Sequence, residues 1–223
     1  MSIVATPFAI DIQKVKSVFG CKDRVLLEKI KNSDLYSHYE NQDDFAGTEY
    51  QYDFDQALED IIFNYINPED RKVKSTFLGL MKSKTTSGLN DKIGYGYGYV
   101  LLVICDYFGK NLLSECDSFY YGRDFEEAFE IMKSKGLQFD LREIFETHDV
   151  FDIPKISDFP AITYSTKHDV EHVNSIFDDI EIDETKTNIE DDNFDEVQYL
   201  LKNIRYCFRT CKENNLELIT FAH

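Results

Sequence analysis

The chain has 223 residues, 43% hydrophobic, 30% charged and 14% aromatic, with only 10 Gly and 4 Pro, which excludes collagen-like, low-complexity and wholly disordered polymers. Forty-two acids against 24 bases give a formal net charge of −18. Such a field repels nucleic-acid phosphates and anionic lipid surfaces, and attracts basic proteins.

The charge is uneven. Residues 1–112 carry 16 acids and 13 bases, whereas residues 113–223 carry 26 acids and 11 bases. The opening MSIVATPFAI has no basic n-region, and Asp11 and Lys14 follow it closely, so no signal peptide is expected. The longest apolar run, Tyr99–Cys105, falls far short of the ~20 residues that a spanning helix needs. Cys21, Cys105, Cys116, Cys207 and Cys211 form no CxxC pair and read as free thiols of a reducing compartment. The expected location is cytoplasmic.

In chain order, residues 2–10 read as a strand, with Pro7 placing it near a sheet edge. Asp11 caps a short helix over Ile12–Phe19, which Gly20 stops. A second helix covers Asp23–Lys31, with Val25, Leu26, Leu27 and Ile30 as its apolar side. Residues 40–60 hold eight acids and no base, and read as a solvated loop running into a helix over Asp55–Ile66. Leu58, Ile61, Ile62 and Tyr65 form its apolar stripe, and Asn67-Pro68 ends it.

Residues 71–92 reverse the sign, with six bases and one acid, and residues 82–92 read as an exposed loop. The run Gly94-Tyr95-Gly96-Tyr97-Gly98-Tyr99 then opens a helix over Tyr97–Phe108. That helix is apolar nearly all round and should be the central, buried one. Asp124 and Glu127 resemble a capping box for a helix to Lys135, and Asp140 and Glu143 repeat the device for a short helix to Thr147. Ala161–Tyr164 is a brief strand, and Ser165 caps a helix over Thr166–Ile180. Residues 178–196 hold ten acids and one lysine, and 181–192 read as a mobile acidic loop. A last helix over Phe194–Asn214 carries the stripe Val197, Leu200, Leu201, Ile204, Phe208 and Cys211, and Leu216–Phe221 closes as a strand. The expectation is one α+β domain over residues 1–223, mostly helical. Its small mixed or antiparallel sheet would include both terminal strands.

Several residue groups are candidates for chemistry. His168-Asp169-Val170-Glu171-His172 matches HxxEH, in which two imidazoles hold zinc and the glutamate activates water. Against the stripe of Val170, Val173, Phe177 and Ile180, both histidines point away from the core, toward solvent. Gly94-x-Gly96-x-Gly98 before a helix suggests a phosphate loop, but matches neither GxGxxG nor GxxxxGK[ST]. The favoured reading is that these glycines let the segment pass close to another backbone, with Tyr95 and Tyr97 packed or presenting hydroxyls. The second aromatic cluster, around Tyr120 and Tyr121, combines the residue types enriched at interfaces. Cys207 and Cys211, one turn apart, read as core.

Several segments taken together resemble an uncharacterised family of bacterial cytosolic proteins, distantly similar to the YfbM-like group. They are Val18-Phe19-Gly20 with Leu26-Leu27-Glu28-Lys29-Ile30, Gln56 to Ile62, Tyr95-Gly96-Tyr97 with Leu101 to Cys105, Phe159 to Tyr164, and Leu216 to Phe221. The resemblance implies an α+β domain and carries over no catalytic residue.

The function expected is therefore that of a non-enzymatic binding protein, in its sharpest form one that neutralises a basic protein, as immunity proteins do. The alternative is a metal-dependent hydrolase built on residues 168–172. Tyr95, Tyr97, Tyr120 and Tyr121 are the candidate binding residues. No metal ligands, cofactor, nucleic-acid partner or membrane partner are expected, and oligomeric state is left open.

Overall fold

The computed structural model describes residues 4–40, 52–71, 73–75, 82–84, 87–114, 119–120, 123–141, 150–154, 156 and 160–222. The fold is α+β, and its strands pair antiparallel throughout the described residues. Contacts divide the chain into two compact units: one of residues 1–12, 109–145 and 161–223, the other of residues 13–108 and 146–160.

The first unit is built on a five-stranded sheet. Its strands are β1 (Val4–Ile10), β4 (Lys110–Asn111), β5 (Phe119–Tyr120), β6 (Ala161–Ser165) and β7 (Glu217–Ala222). The order is β4-β1-β7-β6, with β5 also beside β1. Both terminal strands belong to the sheet and pair with each other from Ala5 opposite Ala222 to Ile10 opposite Glu217.

Pro7 is not at an edge. β1 has β7 along one side, and on the other β5 pairs with Val4 and Ala5 while β4 pairs with Phe8 and Ala9. Pro7 falls between these two short partners, where a missing N–H breaks neither ladder.

The two faces of this sheet differ in side-chain size. Strand alternation puts Ala5, Ala9, Thr163, Ser165, Leu218 and Thr220 on one face, and Phe8, Ile162, Ile219 and Phe221 on the other. Phe8 and Phe221 meet edge to face, with centroids 5.8 Å apart. The small-residue face shares a core with three helices: α6 (Arg123–Ser134), α7 (Lys167–Phe177) and α8 (Glu196–Glu213). Each helix contributes its apolar stripe, for example Phe125, Phe129 and Met132 from α6, and Ile204, Cys207, Phe208 and Cys211 from α8.

Local caps fix where the helices begin. Thr166, not Ser165, caps α7: its hydroxyl accepts from Asp169 N, and the Asp169 carboxylate in turn accepts from Thr166 N at 2.8 Å. Asp195 caps α8 through Val197 N and Gln198 N. Asp124, by contrast, lies inside α6 rather than at its cap. The expected helix at 140–147 lies mostly outside the described residues. Asn174 joins α7 to α8, its amide donating to Val170 O at 2.8 Å and Phe208 O at 2.9 Å.

The second unit is helical, with the small hairpin of β2 (Val73–Ser75) and β3 (Lys82–Lys84). Its helices are α1 (Ile12–Lys16, which begins at the unit boundary), α2 (Arg24–Lys31), α3 (Asp34–Glu40), α4 (Phe54–Glu59) and α5 (Gly94–Phe108). α4 continues into a π-helical turn over Asp60–Asn64. α5 is the buried helix that its composition predicts. On α2, Leu27 and Ile30 are buried, but Val25 is 65% exposed, so the apolar side is narrower than the sequence suggests. Within 82–92, Lys82–Lys84 form a strand and Leu89 is buried, where an exposed loop is expected. No helix among the described residues is long and apolar enough to cross a membrane.

Asn174→Ala removes a buried donor that serves both α7 and α8. It is expected to lower unfolding free energy by about 1–2 kcal/mol in a denaturant titration. Ser175→Ala, an exposed neighbour, should leave the midpoint unchanged.

Candidate functional site

Of the four tyrosines singled out by sequence, two lie in one helix. Tyr95 and Tyr97 sit in the first turns of α5, and both are buried. Tyr120 lies in β5, opposite Val4, and Tyr121 is outside the described residues.

The glycines at 94, 96 and 98 are inside the helix, not in a loop before it. The role of Gly96 and Gly98 is close approach, but to side chains rather than to a backbone. A Cβ on Gly96 would stand 2.6 Å from Tyr52 Cδ2, and one on Gly98 would stand 2.7 Å from Ile156 Cδ1. Tyr52 lies over Gly96 and meets the Tyr95 ring edge to face at 5.2 Å. Phe54, Tyr39 and Tyr99 extend this cluster. Burial pushes the Tyr39 phenol up to about 12, with Tyr99 adding to the effect, and it pushes Tyr52 further in the same direction.

Tyr97 closes a polar network. Its hydroxyl donates to Asp60 Oδ2 at 2.9 Å and accepts from Asn90 N at 3.0 Å. Asp60 Oδ1 in turn accepts from Gln56 Nε2 at 2.9 Å and Asn64 Nδ2 at 2.7 Å. Burial raises the Tyr97 hydroxyl well above its ordinary value; the Asn90 N–H opposes this, and the Asp60 carboxylate adds to it. These tyrosines therefore stay protonated at neutral pH, as packing and hydrogen-bonding groups. A second anchor in this unit is the Asp152 carboxylate, which takes both terminal nitrogens of Arg71 and the Tyr65 hydroxyl.

The HxxEH segment lies on the first two turns of α7. His168 is exposed, and Glu171 forms an exposed ion pair with Lys212 at 3.3 Å. His172 is half-buried, with its ring 6.1 Å from Phe139 and its Nε2 buried without a hydrogen-bond partner among the described residues. Among the described residues, no group of three or more His, Cys, Asp or Glu side chains is placed to hold a metal ion.

The acidic segment between α7 and α8 is the most distinctive surface. It contains a 3-10 turn, Glu184–Lys186, and Asp183 caps that turn through Thr185 N. Asp183 N donates to Gln198 Oε1, and Asp195 N donates to Lys186 O at 2.9 Å. Glu184 takes Arg205 Nη2 at 2.6 Å and Lys202 Nζ at 3.1 Å, from residues three apart on one side of α8. Burial works to raise the Glu184 carboxyl, but the bonds and charges of Lys202 and Arg205 outweigh it and hold it below its ordinary value. Asp178, Asp179, Glu181, Glu190, Asp191 and Asp192 all face solvent, with Ile189 among them at 59% exposure. The ion pairs at Glu184 have no signal in local periodicity, because 18 or more residues separate the partners.

An alkaline titration tests the buried phenols. Below about pH 10 the phenols are protonated in both folded and unfolded chains, so their ionisation does not affect stability. Between about pH 10 and about pH 12 the unfolded chain loses these protons first, and stability should fall steeply as tyrosinate absorbance rises late. Tyr97→Phe should cost about 1–2 kcal/mol by leaving Asp60 and Asn90 N one partner short.

No curated protein and no solved structure matches the chain. A family model described as Domain of unknown function (DUF7691) matches residues 1–223, and the chain belongs to that family.

Proposed function

We propose that the protein is a non-enzymatic binding protein that captures a basic protein partner through its acidic segment at 178–196. One observation carries this reading. The segment is held against α8 by Glu184, which engages Lys202 and Arg205, while Asp178, Asp179, Glu181, Glu190, Asp191 and Asp192 are left facing solvent. A tethered array of carboxylates loses less conformational entropy on binding than a free chain would. Ile189, exposed in its midst, supplies the apolar contact that gives a charged surface its residence time. Charge at such a rim acts mainly on association rate.

The setting that goes with this reading is the cytoplasm of a bacterium, with the protein countering a basic toxin as an immunity protein does. The described cysteines are not joined in disulfides, and Cys105, Cys207 and Cys211 are buried thiols, which supports a reducing compartment. The distant likeness to the YfbM-like group belongs to the same proposal.

The test is an affinity capture from the native lysate at low salt, followed by kinetics on the partner recovered. A basic protein should be retained, its association rate should fall about tenfold or more from low to physiological salt, and E190K/D191K/D192K should abolish capture. The three side chains are exposed, so that variant should keep its helical spectrum. No basic protein retained at low salt, or equal capture by the charge-reversed variant, would sink the proposal.

A further inference from the structure

We infer that Asp152 is the catch of a latch: its carboxylate holds residues 150–154 shut as a strap against the second unit, and loss of that hold lets the strap open locally while the rest of the unit stays folded. The inference is independent of the acidic surface.

The strap alternates in what it offers. Phe151 and Ile153 are buried, and the Phe151 ring stacks on Phe19 with centroids 6.1 Å apart. Asp152, between them, is half-buried and reaches the stretch 65–71 instead. Its Oδ1 accepts from Arg71 Nη1 at 3.1 Å, and its Oδ2 accepts from the Tyr65 hydroxyl at 3.0 Å and from Arg71 Nη2. Arg71 is itself aimed: its Nε donates to Ile66 O at 3.0 Å, and its guanidinium lies 5.8 Å from the centre of the Tyr65 ring. The Tyr65 ring meets Phe19 edge to face at 5.2 Å. These contacts close a circuit from the strap to the unit and back, through Asp152, Arg71, Tyr65, Phe19 and Phe151.

The backbone gives the reason a catch is needed. Asp152 has a φ of +55°, in the left-handed region that residues with a Cβ rarely enter. Lys22 and Asn215, which share that region, are exposed residues beside helix ends. Asp152 lies instead between two buried apolar neighbours. Such conformations persist only where the surrounding contacts over-determine them. Here those contacts include a charge-assisted pairing with the planar fork of an arginine, among the strongest arrangements a carboxylate makes.

Without the carboxylate, the closed strap keeps its strain and leaves Arg71, whose side chain is 15% exposed, short of its counterion. Both penalties end when the strap lifts, so losing the catch favours local opening over unfolding of the unit. Lifting uncovers the Phe19 and Tyr65 rings, which are buried when it is closed. The catch therefore sets whether the unit shows an aromatic surface.

Pulsed thiol labelling of the whole chain, read peptide by peptide by mass spectrometry, tests the latch. Ile153→Cys places a thiol in the strap, and Cys105, fully buried in α5 of the same unit, reports opening of the unit. Adding Asp152→Asn removes the charge but keeps a residue type tolerated in the left-handed region. Labelling at position 153 should then rise about tenfold or more, and labelling at Cys105 should stay unchanged. If Ile153→Cys does not fold, hydrogen exchange in Asp152→Asn alone gives the same readout, comparing the peptide over 150–154 with that of α5. Equal acceleration in the strap and in α5 would make the pair part of the unit's general stability and overturn the latch. No acceleration in the strap would overturn it as well.

Discussion

The pairing of the first strand with the last is the constraint on which the rest of this structure depends. β1 and β7 run antiparallel over six residue pairs, and each is fully flanked inside the sheet only because the other is there. Glu217 extends the joint beyond the ladder, its Oε2 accepting from Ile12 N across 205 residues of chain. Contacts of such long sequence separation form at a high loop-closure cost, which later packing must outweigh. That packing is the core beneath the small-residue face, where Ala5, Ala9 and Leu218 meet α6, α7 and α8.

Small residues on that face have two consequences. Alanine and threonine keep the sheet surface low, so a long helix such as α8 can settle against it with its stripe buried from Leu200 to Cys211. Where the floor is Thr163 and Thr220 rather than alanine, the same surface turns polar beneath an apolar roof. α8 also organises the chain's other distinctive surface. One side of it carries Ile204, Cys207, Phe208 and Cys211 into the core, and another offers Lys202 and Arg205 to Glu184. One helix thus serves both packing and the tethering of a charged segment, through different faces of a single 3.6-residue repeat.

What the sequence showed and what it hid follow a physical line. α5 and α8 were legible because a long apolar run or a clean stripe admits one reading, and the terminal strands because β-branched and aromatic residues cluster there. α3 was not legible: Asp34–Glu40 is short and polar, and Tyr36 is its buried residue. Pro7 pointed to an edge because the rule concerns a continuous ladder, while here two short partners leave a gap for it. Close approach at Gly96 and Gly98 was legible because small residues stand out in sequence, whereas its partners, the Tyr52 ring and Ile156, are distant in the chain. Tyr95 and Tyr97 were legible as residues of interest, but their network through Asp60 and Asn90 was not.

The same line separates the acidic surface from the small cleft beside Thr163 and Thr220. The acidic surface follows from composition, and any fold that leaves 178–196 outside would display it. The cleft follows from register, and register is exacting: a slip of one residue in β7 would exchange Thr220 for Ile219 or Phe221 on the helix-facing side. Those bulky side chains would fill the cleft and lift α8 from the sheet. Glu217 stands against a slip of β7 along β1, because with Ile10 opposite it, its carboxylate accepts from Ile12 N. A buried acid at the start of the last strand therefore favours the β1–β7 alignment that turns Leu218 and Thr220 to the same face as Ala5 and Ala9.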